Sequence, residues 1–156
     1  MPAFIALFSG IPFMLMCAKV QKPGAVLLMG LITGLIYFVT GQFTVVILVS
    51  FVIACALGEI ARVISKYSSF KGNALAFILF SLGMVGSPLP IWLMRESFIA
   101  QITEQGMPES YISSLRAVSS FEMLIVMFVA TIICAIIGAL ITKGMFKKHF
   151  KKAGIV

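Results

Sequence analysis

The chain has 156 residues, of which 61% are hydrophobic and 11% are charged, and its mean hydropathy is +1.14. An ordinary soluble domain contains roughly 45–50% apolar residues, and this excess would leave apolar patches that soluble monomers do not tolerate. The composition therefore excludes soluble enzymes and nucleic-acid-binding domains, and it predicts an all-α integral membrane protein. The formal net charge is +7, but the Lys and Arg residues stand between and after apolar runs. This pattern is typical of topology signals and predicts no nucleic-acid partner.

Apolar runs of about 20 residues, the length that spans a bilayer, predict five transmembrane helices. The predicted spans cover residues 2–18, 24–40, 43–64, 74–94 and 121–142. The fourth is interrupted by the sequence Pro88-Leu-Pro90. The chain is thus predicted to form a single membrane-embedded domain over residues 1–156.

The distribution of positive charge predicts the orientation of the chain in the membrane. Ten of the twelve Lys and Arg residues fall in connections on one side, and the other two fall in the loop before the fifth span. Because Lys and Arg accumulate in cytoplasmic loops, the basic tail 143–156 is expected inside and the loop 95–120 outside the plasma membrane. Five spans then place the N-terminus outside, although the first span has no leading charge. A signal peptide is the less favoured interpretation, because its positive residues should precede the apolar run.

The outer loop 95–120 is predicted to contain two short amphipathic helices. Phe98, Ile99 and Ile102 recur at helical spacing in the first, and Pro108 restarts a second that carries further apolar residues on one side. Two interpretations carry equal weight: a lid over a binding site, or an interfacial helix pair that only seals the bundle.

Ionisable and aromatic residues near the span ends are candidates for a polar pocket. Trp92 and Arg95 close the fourth span, and Glu122 opens the fifth on the same side. Taken singly, Trp92 is more typical of an aromatic-belt anchor and Arg95 of a snorkelling side chain. Glu59 and Arg62, three residues apart near the other end, are predicted to pair with each other.

Other features point to packing rather than to chemistry. Gly30 and Gly34 form a GxxxG pattern, which favours a helix-packing contact and, less strongly, a subunit interface. The three cysteines lie inside apolar runs, and the single histidine lies in the basic tail, so no metal site is expected. The sequence contains no nucleophile–base pair, paired carboxylates or ATP-binding loop. We therefore predict neither an enzyme nor a resident cofactor.

Several stretches in this order resemble the Trep-Strep family, also called the MptD family of S components of energy-coupling factor (ECF) transporters. They are residues 10–15 (GIPFML), 19–20 (KV), 28–38 (LMGLITGLIYF), 66–73 (KYSSFKGN), 80–96 (FSLGMVGSPLPIWLMRE), Tyr111 and 148–155 (KHFKKAGI).

The resemblance implies a six-helix S component with both termini in the cytoplasm. Five predicted spans, against the usual six, imply that this chain lacks the first helix. The family role implies capture of a vitamin or other micronutrient outside the cell. The implied partners are this small-molecule solute, a transmembrane T component, two ATPase subunits and membrane lipid. The residues expected around the solute are Gln42, Trp92, Arg95, Tyr111, Arg116 and Glu122. The arginines would bind a carboxylate or phosphate, and the aromatic residues would stack on a ring.

Two alternatives remain open. Arg95 and Arg116 can instead pair with Glu96 or Glu109 in the loop. The whole chain can also be a small structural or regulatory membrane protein without a solute, held in an assembly through Gly30 and Gly34.

Overall fold

The chain is all-helical in the computed structural model, which describes residues 2–39, 45–146 and 148. Within these residues the α-helices are α1 (Pro2–Lys19), α2 (Ala25–Val39), α3 (Val45–Ile64), α4 (Phe70–Gly83), α5 (Pro90–Leu93), α6 (Arg95–Glu104), α7 (Glu109–Val118) and α8 (Phe121–Met145). A single turn of 3₁₀-helix, Met84–Gly86, follows α4.

The apolar helical segments match the predicted spans in number, and all but the fourth match in place. Helices α1, α3 and α8 are long and apolar enough to cross a membrane, whereas α2 and the segment Phe70–Gly86 are shorter apolar helices. Ser120 caps α8, because its hydroxyl accepts a hydrogen bond from the backbone N–H of Met123 (3.4 Å). The prediction of full-length spans is therefore confirmed for three of the five.

The fourth predicted span breaks earlier than the sequence suggested. Helix α4 starts at Phe70 and ends at Gly83, and the chain then tightens into the 3₁₀ turn, where Ser87 N–H donates to the Met84 carbonyl (3.3 Å). Pro88 has no N–H with which to continue the α-helical pattern to that carbonyl. The prediction placed the interruption at the prolines themselves, but their effect reaches one turn back.

The close approach of glycines brings α1 against α8. A Cβ on Gly138 would lie 2.7 Å from the Leu7 carbonyl oxygen, and a Cβ on Gly10 would lie 3.0 Å from the carbonyl carbon of Gly138. Small residues at a helix interface let two backbones come together in lipid, where packing drives association. One turn further along α1, the Phe13 ring contacts the Phe77 and Phe80 rings of α4, with centroids 5.2 and 5.1 Å apart.

The bundle has one strongly basic end. The end of α1, the start of α2, the end of α3, the start of α4 and the end of α8 meet there. The exposed lysines at this end, among the described residues, include Lys19, Lys22, Lys66, Lys71 and Lys143. The Lys143 ammonium lies over the Phe70 ring, 5.4 Å from its centroid. Helices α6 and α7 join the opposite end, where α8 begins. The described members of the two groups of basic residues that the sequence assigned to opposite sides thus lie at opposite ends.

Candidate functional site

Trp92 and Arg95 fasten the start of the loop to its end. A change of backbone direction at Met94 (φ −132°, ψ 44°) separates α5 from α6. The Trp92 indole N–H donates to the Ser120 carbonyl (2.9 Å), and Arg95 Nη2 donates to the Arg116 carbonyl (3.4 Å). Both bonds tie the segment around α5 to the junction of α7 and α8. Two of the predicted site residues therefore meet at one place.

The two short helices predicted in the loop are present as α6 and α7, and they form a hairpin. The turn uses Gly106 at φ +77°, a conformation that favours glycine. The Gly106 and Met107 N–H groups donate to the carbonyls of Thr103 and Ile102, at 3.0 and 3.2 Å, and so end α6. The Pro108 carbonyl then accepts from Tyr111 N–H to begin α7 (2.9 Å). Ile99 and Ile102 are buried as expected, but α7 has no buried residue.

A cavity of about 680 Å³ lies between the two helices of the hairpin. This volume is in the range typical of small-molecule sites. Its lining residues are Ile99, Thr103, Met107, Glu109, Ile112, Ser113 and Arg116. Met107 belongs to the turn, and the others come from one face of each helix, at intervals of three and four residues. The walls combine apolar surface with hydroxyl groups and one charge of each sign.

The two charges in the cavity have no partner within the part of the chain that the structure describes. Arg116 accepts bonds through its carbonyl, from Arg95 and from the Ser119 hydroxyl (2.8 Å), but no ion pair involves its guanidinium. Neither Arg95 nor Arg116 pairs with Glu96 or Glu109, as the alternative interpretation required. The cationic group of Arg116 is therefore free to meet an anionic ligand.

The structure brings together some of the predicted site residues and separates others. Arg116 lines the cavity, while Trp92 and Arg95 lie at its base junction. Tyr111, 49% exposed, is not among the lining residues, and Glu122 is exposed at the start of α8. Gln42 lies outside the described residues. These six assignments stay predictions.

Most residues of the cavity wall were not predicted from the sequence, although their helical spacing was visible in it. Thr103, Met107, Glu109 and Ser113 were not singled out as site residues. Their positions follow the periodicity that places Ile99 and Ile112 on the apolar faces, since Thr103 lies four residues after Ile99. If α6 and α7 had been predicted to pack against each other rather than against the membrane surface, these lining residues would have been identified.

A second polar cluster lies at the basic end and has a structural role. The fully buried Arg62 donates through Nη2 to the carbonyls of Cys17 (3.2 Å) and Val20 (2.7 Å), at the end of α1. Its Nε donates to Asn73 Oδ1 (3.1 Å), on α4. The Tyr67 ring lies 5.2 Å from its guanidinium carbon. A cation at the negative end of a helix is electrostatically favourable.

Glu59, one turn earlier on α3, binds the start of α2. Its carboxylate accepts from Gly24 N–H (2.9 Å) and Val26 N–H (3.1 Å). The prediction that Glu59 pairs with Arg62 was wrong, because each side chain satisfies a different helix end. Together they hold the turn between α1 and α2, where Gly24 adopts φ +92°.

The apolar helices agree with the result of a comparison with known protein families. A family model described as a hypothetical bacterial integral membrane protein (Trep_Strep) matches residues 1–152. The chain belongs to this family. No curated protein and no solved structure shows significant similarity to it. The resemblance noted from the sequence is thus confirmed at the level of the Trep_Strep family and of an integral membrane protein.

The two glycines of the GxxxG pattern have different surroundings in this Trep_Strep protein. A Cβ on Gly30 would lie 2.2 Å from Cys55 Sγ, so Gly30 packs against α3. A Cβ on Gly34 would meet nothing within 4 Å, and Gly34 lines an apolar groove of about 510 Å³ between α2 and α3. Gly30 therefore serves internal packing, as the favoured interpretation predicted, and Gly34 does not.

Among the described residues, no group of three or more His, Cys, Asp or Glu side chains is placed to hold a metal ion. The thiols of Cys17, Cys55 and Cys134 are free.

Proposed function

We propose that this Trep_Strep protein is the substrate-binding S component of an ECF-type importer, which captures a vitamin or other micronutrient outside the cell. The observation that carries the proposal is the cavity between α6 and α7, at the end of the bundle opposite the basic one. Its wall holds an arginine that has no ion-pair partner among the described residues. Cavities that combine apolar walls with a few polar groups are the usual form of small-molecule sites. Membership of an integral membrane family supports a role at the membrane.

In this proposal the α6–α7 hairpin faces the outside and the basic end faces the cytoplasm, in accord with the positive-inside rule. The solute enters between the helices of the hairpin. Arg116 binds its anionic group, while Trp92 and Arg95 hold the hairpin against the start of α8. A T component and two ATPase subunits then supply the energy for release inside.

The first test is purification of the tagged protein in mild detergent from its native host, with mass spectrometry of proteins and small molecules. We expect recovery of a transmembrane T component, two ATPases and a bound micronutrient. The control is the same purification of the Arg116→Gln variant, which should retain the protein partners and lose the solute. Recovery of the folded chain without either a solute or these partners contradicts the proposal.

Replacing Arg95 tests the arrangement at the base of the hairpin. We expect Arg95→Ala to weaken binding of the co-purified solute by more than tenfold, a loss comparable to that of one charge-assisted interaction. Lys71→Ala, at the opposite end, is the matched control and should leave affinity unchanged. Unchanged affinity in folded Arg95→Ala removes Arg95 from the site.

A second candidate function is a structural or regulatory membrane protein without a solute. The apolar groove beside Gly34 favours it, because a small residue in an open groove permits close approach of another helix. The same purification distinguishes the two: other membrane proteins without a small molecule, lost on Gly34→Leu substitution, would favour this alternative.

A further inference from the structure

The wall of the α6–α7 cavity carries one carboxylate and one guanidinium, at opposite ends of α7. Glu109 lies in the first turn of α7 and Arg116 in the last, and both line the cavity. Seven residues of α-helix separate their Cα atoms by about 10 Å along the axis. The two side chains are thus too far apart to pair readily with each other, and neither has another partner among the described residues.

The helix dipole alone does not explain why both charges lie on the cavity face of α7. An acidic residue in the first turn and a basic residue in the last turn stabilise a helix whichever face they lie on. Here Glu109, Ile112, Ser113 and Arg116 follow the spacing of a single helix face, and that face borders the cavity. The charges therefore bracket the cavity from its two ends.

The surface between the two charges is largely apolar. Ile99 and Met107 line the cavity from the α6 side, and Ile112 lines it from α7. The Thr103 hydroxyl donates to the Ile99 carbonyl (2.8 Å), and the Ser113 hydroxyl donates to the Ser110 carbonyl (3.0 Å). Each hydroxyl oxygen can still accept a hydrogen bond from a donor group of a ligand.

From this arrangement we infer that the cavity binds an elongated zwitterion, with an anionic group at Arg116, a cationic group at Glu109 and an apolar middle. The inference rests on the proposed function, since it names the chemical class of the solute. A ligand with only one charge leaves the second side chain without a partner, and so gains less from the site.

A matched set of probes tests the inference: ω-aminooctanoate, its N-acetyl derivative without the ammonium, and its amide without the carboxylate. The extended length of this molecule is comparable to the rise of about 10 Å between the Cα atoms of Glu109 and Arg116. Binding is measured by isothermal titration calorimetry on the full chain in detergent, up to millimolar probe. We expect the zwitterion to bind at least about tenfold more tightly than either derivative.

The variants Glu109→Gln and Arg116→Gln identify which end of the probe each residue binds. Glu109→Gln should lower the affinity for the zwitterion to that of the N-acetyl derivative, and Arg116→Gln to that of the amide. Glu104→Gln is the control, because Glu104 is exposed on α6 and does not line the cavity. Equal binding of the three probes, absence of zwitterion binding, or insensitivity to both variants overturns the inference.

Failure of this inference differs from failure of the proposed function. If purification yields the T component and ATPases with an uncharged or singly charged solute, the S-component role stands and the zwitterion is wrong. If the zwitterion binds more tightly than its two derivatives but no T component or ATPase is recovered, the binding site is supported and the transport role is wrong.

Discussion

At the scale of single residues, Arg62 is the side chain with the most demanding environment. It is fully buried, and its guanidinium bonds to backbone carbonyls of the α1 end and to Asn73 of α4. Breaking such a site leaves several buried acceptors without donors, which costs more than the bonds themselves contribute. Arg62 therefore joins three helices through one side chain.

We expect Arg62→Met to destabilise the protein by about 3 kcal/mol, because three hydrogen bonds with a charged donor are lost. The measurement is the midpoint of thermal unfolding in detergent, followed by size-exclusion chromatography of heated samples. Lys71→Met removes a charge from an exposed residue at the same end and is the control. Equal midpoints for the two variants would show that Arg62 is not a structural link.

The roles of Glu59 and Arg62 could not be read from the sequence, although both residues were noticed. Their spacing on one helix suggested a local pair, whereas Glu59 binds Gly24 and Arg62 binds Cys17, both in distant segments. Local spacing gives neighbours on one helix face. It carries no information about which helix end is brought to that face.

At the scale of helices, the sequence predicted the elements well, because lipid leaves few alternatives to a hydrogen-bonded helix. The start of α8 at Phe121 coincides with the predicted start, and two short helices were predicted where α6 and α7 lie. The predicted interruption came too late in the chain, because Pro88 has no N–H with which to continue the helical pattern and so ends α4 one turn before itself. The cavity was missed because it forms only where two helices face each other, which the pattern of a single helix does not show.

The α1–α8 contact gives a prediction at this scale. Gly138→Ala would place a methyl group 2.7 Å from the Leu7 carbonyl oxygen, a rigid backbone atom. We expect this variant to destabilise the protein by about 1–3 kcal/mol, the usual cost of overpacking, and to lower the thermal midpoint.

Gly144→Ala on the same helix is the control, because no described residue lies within 4 Å of the position of its Cβ. It should be neutral or stabilising by up to about 1 kcal/mol, since alanine favours helix over glycine. An unchanged midpoint in Gly138→Ala would mean that α1 and α8 are not in close contact in the folded protein.

At the scale of the whole molecule, the exposed acidic residues and the lysine-rich end lie at opposite ends of the helical bundle. The described acidic residues other than Glu59 belong to α6, α7 and the first turn of α8. Glu59 is buried at the basic end, where its carboxylate binds the start of α2. That end therefore exposes lysines without compensating carboxylates, which is the pattern that retains a segment in the cytoplasm.

This arrangement predicts the accessibility of single cysteines in intact cells to a membrane-impermeant maleimide. Ser114→Cys lies on α7 away from the cavity wall, and Lys22→Cys lies in the α1–α2 turn; both positions are exposed. We expect Ser114→Cys to be labelled in intact cells and Lys22→Cys only after permeabilisation. The parent chain gives the background from its own cysteines, two of which are buried. The reverse pattern would place the α6–α7 cavity inside the cell, where it could not capture an external solute.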